Sequence, residues 1–211
     1  MSRVIIFGAG GRAGAAAVGE ALRRGHRVTA VVRVPAKYRK LEAPGVGLVA
    51  GDVTDAEAVA ALAAGHDAAI AAVHDAGAVP DAFFTAAARA LTNGLTRAGV
   101  RRLVHVGLSA TMETADGTPL MDTPGFPEEF RPFSHSHAAG TAVLRTAAGA
   151  LDWLVVSPAG DFDHDGARSG RYTTAAVDPA ARISYGDFAV ALLDEADAPR
   201  HHRTHIGIVE I

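Results

Sequence analysis

The stretch that decides the fold is VIIFGAGGRAG, residues 4–14, close to the amino terminus. Four apolar residues run directly into a cluster of glycines, and an Ala-rich segment follows them. A short continuous apolar run is typical of a strand buried on both faces of a parallel sheet, whereas the Ala-rich segment predicts a helix. The glycines between them predict a tight turn whose backbone, together with the first helical amides, can approach an anion closely.

Strand and helix patterns alternate along the rest of the chain. We predict strands at 3–7, 27–32, 47–50, 68–72, 102–106 and 153–156, and helices at 12–24, 55–63, 81–97 and 137–147. After them come a short strand at 171–174, a helix at 184–194 and a last strand at 205–211, with Asp55 and Ser184 as helix N-caps. This alternation predicts an α/β fold, a single Rossmann-like domain with a doubly wound parallel sheet. We assign residues 1–156 to a dinucleotide-binding core and 157–211 to a small C-terminal substrate lobe.

Composition excludes several classes of function. The 211 residues include 20 basic and 23 acidic ones, and this balance predicts neither a nucleic-acid partner nor a polybasic membrane anchor. With no cysteine, the chain has no disulfide, thiolate nucleophile or Cys-ligated metal. No apolar run approaches the ~20 residues that a membrane helix needs. We expect a cytoplasmic protein, monomeric or homodimeric, whose partner is a small-molecule acceptor.

The glycine loop fits two registers of dinucleotide-binding motif. Gly8, Gly10 and Ala13 fit G-x-G-x-x-A, whereas Gly8, Gly11 and Gly14 fit G-x-x-G-x-x-G. In such loops glycine brings the backbone close to a pyrophosphate, and the helix N-terminus binds its charge. The candidate pyrophosphate-binding residues are therefore Gly8, Gly10, Gly11, Ala13 and Gly14, and Arg12 in the same loop is a cofactor-binding candidate for a 2′-phosphate.

A basic segment after the second strand predicts which dinucleotide is bound. Sites that prefer NAD carry an acidic residue about 20 residues after the glycine loop. Here that position holds Arg33, with Lys37 shortly after it. Because guanidinium and ammonium groups suit a 2′-phosphate, we predict a preference for NADP(H) over NAD(H). The alternative is that these are solvated surface charges, which is the interpretation we favour for Arg39 and Lys40.

Residues after the third and fourth strands complete the predicted cofactor site. Asp52 and Val53 follow the third strand, at the edge that borders the adenine pocket in this fold. Turn chemistry alone remains the alternative explanation for Asp52. Val73 and His74 follow the fourth strand, where the chain passes the nicotinamide ribose.

Several motifs, in order, resemble one family. They are GAGGRAG, VVRVPAK, GDVTD, VHVGLSA, SHAAGTAVLR, LDWLVVSPAG, SGRY and RISYGDFAVALLDE, which together extend along nearly the whole chain. The chain thereby resembles the atypical short-chain dehydrogenases/reductases, in the branch that contains NADH-flavin reductases and biliverdin reductase B. One departure is Gly10, where these relatives usually carry a threonine, so one hydroxyl near the phosphates is missing.

The usual catalytic pair of short-chain dehydrogenases, Tyr-x-x-x-Lys, is absent. Four residues after the three tyrosines stand Glu42, Ala176 and Ala189. We therefore do not expect the usual ketone reduction, in which the lysine lowers the pKa of the catalytic tyrosine. By resemblance, Ser109 and His137 match the serine and histidine that face nicotinamide and substrate in flavin-reducing relatives. The alternatives are a plain turn hydroxyl for Ser109 and a helix cap or backbone contact for His137.

Two metal-like patterns do not predict a metal site. DFDHDG, residues 161–166, fits the first half of a calcium loop, but the twelfth position is Tyr172 instead of glutamate. His201, His202 and His205 cluster without an acidic or cysteine neighbour in sequence, so we interpret them as a solvated turn.

The first function that these features predict is hydride transfer from NAD(P)H to a flavin (FMN or FAD) or similar planar acceptor. The acceptor would lie between the long loop at 107–131 and the segment after Ser157. Two alternatives stay open. One is a reductase, epimerase or cyclase that tailors a small natural product, and the other is a non-catalytic regulatory protein that senses NADP.

Overall fold

The computed structural model describes residues 1–75, 80–147 and 149–211. The strands are β1 (Arg3–Phe7), β2 (Arg27–Val32), β3 (Val46–Ala50), β4 (Ala68–Ala71), β5 (Arg102–Val106), β6 (Asp152–Pro158), β7 (Asp161–Asp163), β8 (Tyr172–Ala175), β9 (Arg182–Ser184) and β10 (Thr204–Glu210). The helices are α1 (Arg12–Arg23), α2 (Ala56–Ala63), α3 (Pro80–Ala98), α4 (Arg131–Thr146) and α5 (Tyr185–Asp197).

The main sheet has the order β3-β2-β1-β4-β5-β6-β10-β8. All neighbouring strands in it run parallel except β10 and β8, which are antiparallel. The chain order reverses between β1 and β4, which makes their carboxyl ends the switch point where ligands bind in such sheets. The predicted Rossmann-like, doubly wound fold is confirmed.

Alternating side chains on the strands build a core on each face of the sheet. Val4 and Ile6 of β1 face α1 and α5, whereas Ile5 and Phe7 face the layer that includes α2 and α3. Each of these four side chains is fully buried, as the continuous apolar run predicts for a central strand. No helix in the described parts of the chain is both long and apolar enough to cross a membrane.

Two predicted helix caps are confirmed. The carboxylate of Asp55 accepts hydrogen bonds from the backbone N–H groups of Glu57 (2.8 Å) and Ala58 (3.3 Å) at the start of α2. The hydroxyl oxygen of Ser184 accepts one from the N–H of Asp187 (3.0 Å) at the start of α5. These side chains satisfy amides that have no partner within the helix.

The fourth helix begins earlier than the sequence predicts, at Arg131 instead of residue 137. Pro132 lies in its first turn, where a missing N–H costs nothing. The hydroxyl of Ser134 donates to the carbonyl of Phe130, at 2.8 Å, so a polar stretch that resembles a loop is compatible with a helix. His137 therefore lies inside α4 instead of at its start, and the alternative explanation of His137 as a helix cap is wrong.

Residues after Pro158 contribute to several parts of the molecule. β10 and β8 extend the main sheet, and α5 packs against α1. β7 and β9, which the sequence did not predict, pair with each other in a separate two-stranded sheet. The role of 157–211 as a substrate lobe stays a prediction.

Candidate functional site

A cleft of about 920 Å³ opens at the carboxyl ends of β1, β2, β3 and β4. Many of the residues predicted to bind the cofactor line it: Gly8, Gly10, Gly11, Arg33, Lys37, Asp52, Val53, Val73 and His74. Arg12, Ala13 and Gly14 are not among its lining residues and lie in the first turn of α1. The structure thus brings residues from four strand ends to one cleft.

The glycine loop is held by close backbone packing. Gly8 has a φ of +75°, and a Cβ there would lie 2.1 Å from the carbonyl oxygen of Ala72. A Cβ on Gly14 would lie 2.2 Å from the carbonyl oxygen of Gly8. Since real Cβ atoms do not approach so closely, both positions require glycine for the close approach of helix and strand.

The start of α1 fits the pyrophosphate of a dinucleotide. Its N-cap is Gly11, which provides no side-chain hydrogen bond to the first amides of the helix. These amides carry partial positive charge and remain free to donate to a negatively charged group. The side chain of Arg12 is directed elsewhere, since its Nη1 lies 2.8 Å from Nδ1 of His164.

The basic side chains after β2 lie at the cleft. Arg33 and Lys37 both line it, and Arg33 forms an ion pair with Asp75. The Arg33 side chain is 64% exposed, so its guanidinium is accessible to a ligand in the cleft. Asp75 was not among the predicted residues, because only the pairing of β1 with β2 on one side and β4 on the other brings it near Arg33.

Tyr38 is a second cleft residue that sequence reasoning missed. A Cβ on Gly10 would lie 2.3 Å from Cε1 of the Tyr38 ring, so the ring occupies the space of a side chain at position 10. The sequence did contain a sign of this packing. Where the relatives usually carry threonine, Gly10 leaves room for another side chain. Position 10 and Tyr38 are therefore sterically coupled.

Asp52 makes the contacts of the turn-chemistry alternative and lies at the cleft. It lines the cleft, and its Oδ1 accepts hydrogen bonds from the N–H (2.8 Å) and the hydroxyl (2.7 Å) of Thr54. This is the local turn chemistry expected of an aspartate after a strand. The carboxylate thus stabilises the turn that forms one wall of the cleft.

An aromatic cluster continues from the cleft towards α3 and α4. We define it as His74, Phe84, Phe133 and His137. The ring of His74, which lines the cleft, has its centroid 5.4 Å from Phe133 and 6.4 Å from Phe84. Phe84 in turn lies 4.5 Å from His137 and 5.6 Å from Phe133. The cluster provides ring faces and edges of the kind that pack against planar conjugated groups.

Behind the aromatic cluster lies a histidine cluster, which consists of His105, His137 and His205. Burial, with a smaller contribution from neighbouring His105, lowers the pKa of His137 to about 3. Burial also lowers the pKa of His105 and of His205 to about 4. All three Nδ1 atoms are buried without a hydrogen-bond partner among the described residues. The three imidazoles are therefore neutral near neutral pH.

Strand register explains how the histidine cluster is assembled. His105 of β5 and His205 of β10 both pair with Val155 of β6, so their side chains share one face of the sheet. The ring centroid of His137 lies 6.2 Å from that of His105. Oγ of Ser157 lies 2.7 Å from Nε2 of His205, which contradicts the prediction that His205 belongs to a solvated turn.

Ser109 opens a single helical turn, Ser109–Thr111, directly after β5. Helix α4, which carries His137, packs against this turn. The two predicted catalytic residues thus lie on elements that contact each other. Neither of them lines the cleft itself.

The residues of the two metal-like patterns have separate partners. His201 Nδ1 lies 2.7 Å from a carboxylate oxygen of Glu195, and His202 Nδ1 lies 2.8 Å from one of Asp152. Asp161–Asp163 forms strand β7. Within the described ranges, no group of three or more acidic or histidine side chains has the arrangement of a metal site.

Comparison with known proteins shows the family of the chain. A family model described as NAD(P)H-binding matches residues 8–199. YwnB of Bacillus subtilis (strain 168), an uncharacterized protein, is 33% identical over 222 residues, which cover 98% of each chain.

Two solved structures are similar over nearly their whole length. A candidate NADH-flavin reductase from Streptococcus pneumoniae TIGR4 is 32% identical with a TM-score of 0.83, and 100% of each chain is covered. A candidate epimerase from Bacteroides thetaiotaomicron is 30% identical with a TM-score of 0.86, covering 100% of this chain and 97% of the other. The predicted resemblance to NAD(P)H-binding proteins that include NADH-flavin-reductase-like members is confirmed.

Proposed function

This chain belongs to the NAD(P)H-binding family, and from that premise we propose that it is a reductase that transfers hydride from NADPH to a flavin or similar planar acceptor. The similarity to a candidate NADH-flavin reductase supports this class of reaction. The single observation that carries the acceptor class is the aromatic cluster, which continues from the cofactor cleft through His74.

The residues present fit NADPH. The first amides of α1 would hold the pyrophosphate, since Gly11 leaves them without a side-chain cap. Arg33 and Lys37 would hold the 2′-phosphate through charge-assisted hydrogen bonds, with Arg33 exchanging its ion pair with Asp75 for the phosphate. Bound NADPH supplies the hydride, and the chain supplies its orientation.

The acceptor would lie against the aromatic cluster. Phe133 is half-buried and lies beside His74, so its ring can pack on a planar acceptor without a rearrangement of the core. The turn that begins at Ser109, after β5, would border the same space. We propose that the loop at 107–131 and the segment after Ser157 enclose this acceptor, which is a small molecule.

His137 would act as a neutral imidazole. Because its pKa is lowered to about 3, it holds no extra proton to release near neutral pH. A neutral ring N–H can still orient a carbonyl or ring nitrogen of the acceptor through a hydrogen bond. The proton that accompanies the hydride would then come from solvent, which a reaction carried by the cofactor permits.

The test is steady-state oxidation of NADPH with FMN, FAD or riboflavin as acceptor. We expect turnover above the rate without protein, and a higher KM for the flavin in Phe133→Ala and His137→Ala. His135→Ala is the matched control, because this exposed histidine lies two residues earlier on α4, and its KM should remain that of the native protein. Failure of the native protein to exceed the background rate with all three flavins would overturn the proposal.

Two other functions would give different results in this test. The similarity to a candidate epimerase favours a tailoring enzyme, for which flavins would be inert while a small natural product is converted. A regulatory protein that senses NADP would bind NADPH tightly without turnover. Measurement of NADPH binding beside the turnover assay separates these cases.

A further inference from the structure

A second depression lies at the opposite edge of the sheet, at the amino ends of β1, β2 and β3. Its volume is about 650 Å³. We call it the basal pocket, and its lining residues are Arg3, Arg27, Thr29, Gly45, Val46, Gly47 and His66. The cofactor cleft, at the carboxyl ends of the same strands, shares none of these residues.

The register of β1 and β2 places two like charges side by side. Arg3 and Arg27 are direct partners across this parallel pair, so their side chains leave the same face of the sheet. Like charges that face each other on adjacent strands are destabilising when no counter-charge lies between them. Neither guanidinium has a hydrogen bond or ion pair with any residue of the described ranges.

The carboxylate of Asp67 is hydrogen-bonded to the backbone of Arg3. Oδ2 of Asp67 accepts a hydrogen bond from the backbone N–H of Arg3 at 2.8 Å. Asp67 directly precedes β4, which flanks β1 on the side away from β2 and Arg27. Asp67 forms no ion pair with the guanidinium of Arg3 or of Arg27, so within the described parts of the chain both arginines keep an unpaired positive charge at the pocket.

Glycines leave this space open. Gly47 of β3 is the partner of Thr29, and a Cβ built on Gly47 would have its nearest neighbour at 3.9 Å. The opposite wall is His66, whose Nε2 lies 2.7 Å from Oγ1 of Thr29 and whose Nδ1 lies 3.1 Å from the carbonyl oxygen of Ala63. Because a carbonyl only accepts, Nδ1 carries the proton and the Thr29 hydroxyl donates to Nε2. His66 and Thr29 thus form an ordered wall.

We propose that the basal pocket is a binding site for a small phosphate-type oxyanion, held between the guanidinium groups of Arg3 and Arg27. Two guanidinium forks on adjacent strands can each donate paired hydrogen bonds to a tetrahedral oxyanion. Such an anion would remove the repulsion between the two arginines. This relief would add to the free energy of binding that the hydrogen bonds to the guanidinium groups provide. Free phosphate and the phosphate group of a monoester share this chemistry.

The experiment is calorimetric titration of the full chain with inorganic phosphate, with glycerol 3-phosphate and with succinate. NADP⁺ is present at saturation so that the cofactor cleft is filled, and chloride keeps the ionic strength constant. We expect one phosphate per chain, and a melting temperature that is higher in phosphate than in chloride. Binding of the ester alone would identify a phosphorylated metabolite as the source, whereas binding of free phosphate would identify the ion itself.

Two variants test the pocket in different ways. Arg27→Gln removes one charge, and Gly47→Val fills the space without a change of charge; each should weaken phosphate binding by about tenfold or more. Arg171→Gln, at an exposed arginine directly before β8, is the matched control and should retain the native affinity. In chloride, Arg27→Gln should melt no lower than the native protein, since it removes a like-charge pair.

Three results would overturn the proposal. They are the absence of binding of both inorganic phosphate and glycerol 3-phosphate beyond the chloride control, binding that is unchanged in Arg27→Gln, or binding of succinate as tight as that of the phosphates. If Gly47→Val does not fold, Arg27→Gln carries the test alone. The measurement needs no turnover, so its result is independent of the proposed reductase activity.

Discussion

The cofactor cleft and the histidine cluster lie at the same edge of the sheet but are built in different ways. The cleft is formed by short segments that directly follow strands, and its polar groups are open to solvent, as in the case of Arg33. The histidine cluster joins β5, α4 and β10, and its imidazoles are buried and neutral. The difference shows that the shape of the cleft depends on local backbone geometry, whereas the burial of the histidines depends on long-range packing.

The largest effect is expected for Gly14→Val, which tests the local backbone geometry of the cleft. A Cβ at this position would lie 2.2 Å from the carbonyl oxygen of Gly8, so the turn must open and the helix amides must move. NADPH affinity should fall by about 100-fold or more, as measured by fluorescence titration. Gly19→Ala, on the same helix with no atom within 4 Å of its added Cβ, is the control and should bind NADPH normally. Native affinity in Gly14→Val would refute the loop assignment.

The second-largest expected effect is a dependence of the free energy of unfolding on pH, which tests whether the histidine cluster is buried in its neutral form. Burial lowers the pKa of His105 and His205 to about 4 and that of His137 to about 3, from the ordinary value of 6.5. Below pH 6.5 the unfolded chain therefore binds protons that the folded chain does not. The free energy of unfolding is complete above pH 6.5 and should fall on acidification by about 1 kcal/mol per pH unit for each histidine.

Urea denaturation between pH 7 and pH 5 measures this slope. His105→Leu should reduce the slope, because it removes one of the three groups. His135→Gln, an exposed histidine on α4, should leave the slope unchanged. If the free energy of unfolding of the native protein does not change with pH over this range, burial does not hold the three imidazoles in their neutral form.

A smaller effect is expected for Arg33→Ala, which tests whether the cleft distinguishes the two cofactors. The loss of a charge-assisted hydrogen bond should weaken NADPH binding by about 10- to 100-fold and leave NADH binding nearly unchanged. Dissociation constants for both cofactors measure this ratio. Arg39→Ala is the control from the same segment, since Arg39 does not line the cleft. An equal loss for NADPH and NADH would mean that Arg33 does not contact the 2′-phosphate.

The smallest effect concerns the coupling of position 10 to Tyr38. In Gly10→Ala the new methyl group would lie 2.3 Å from the Tyr38 ring, which must move within the cleft. NADPH affinity should fall by about three- to tenfold, and a prior Tyr38→Ala change should reduce this loss to about twofold or less. A double-mutant cycle on the dissociation constants measures the coupling. Additive effects would show that the ring and the loop act independently.

Much of the cleft could be predicted from the sequence, because its determinants are close to each other along the chain. The strand before Gly8, the N-cap Asp55 and the basic segment after β2 are all readable from a few neighbouring residues. The start of α4 was predicted wrongly, because the first turn of a helix tolerates Pro132 and serine hydroxyls can donate to helix carbonyls. Local pattern alone does not distinguish such a turn from a loop.

The sequence by itself determined the alternation of strand and helix, the glycine turn and the family to which the chain belongs. Only the tertiary structure decided that Arg33 pairs with Asp75, that Tyr38 fills the space beside Gly10, and that His137 is neutral. The physical reason is that turns and helix caps depend on adjacent residues. Burial, ion pairing and pKa depend instead on strand register and packing, which join residues far apart in the chain.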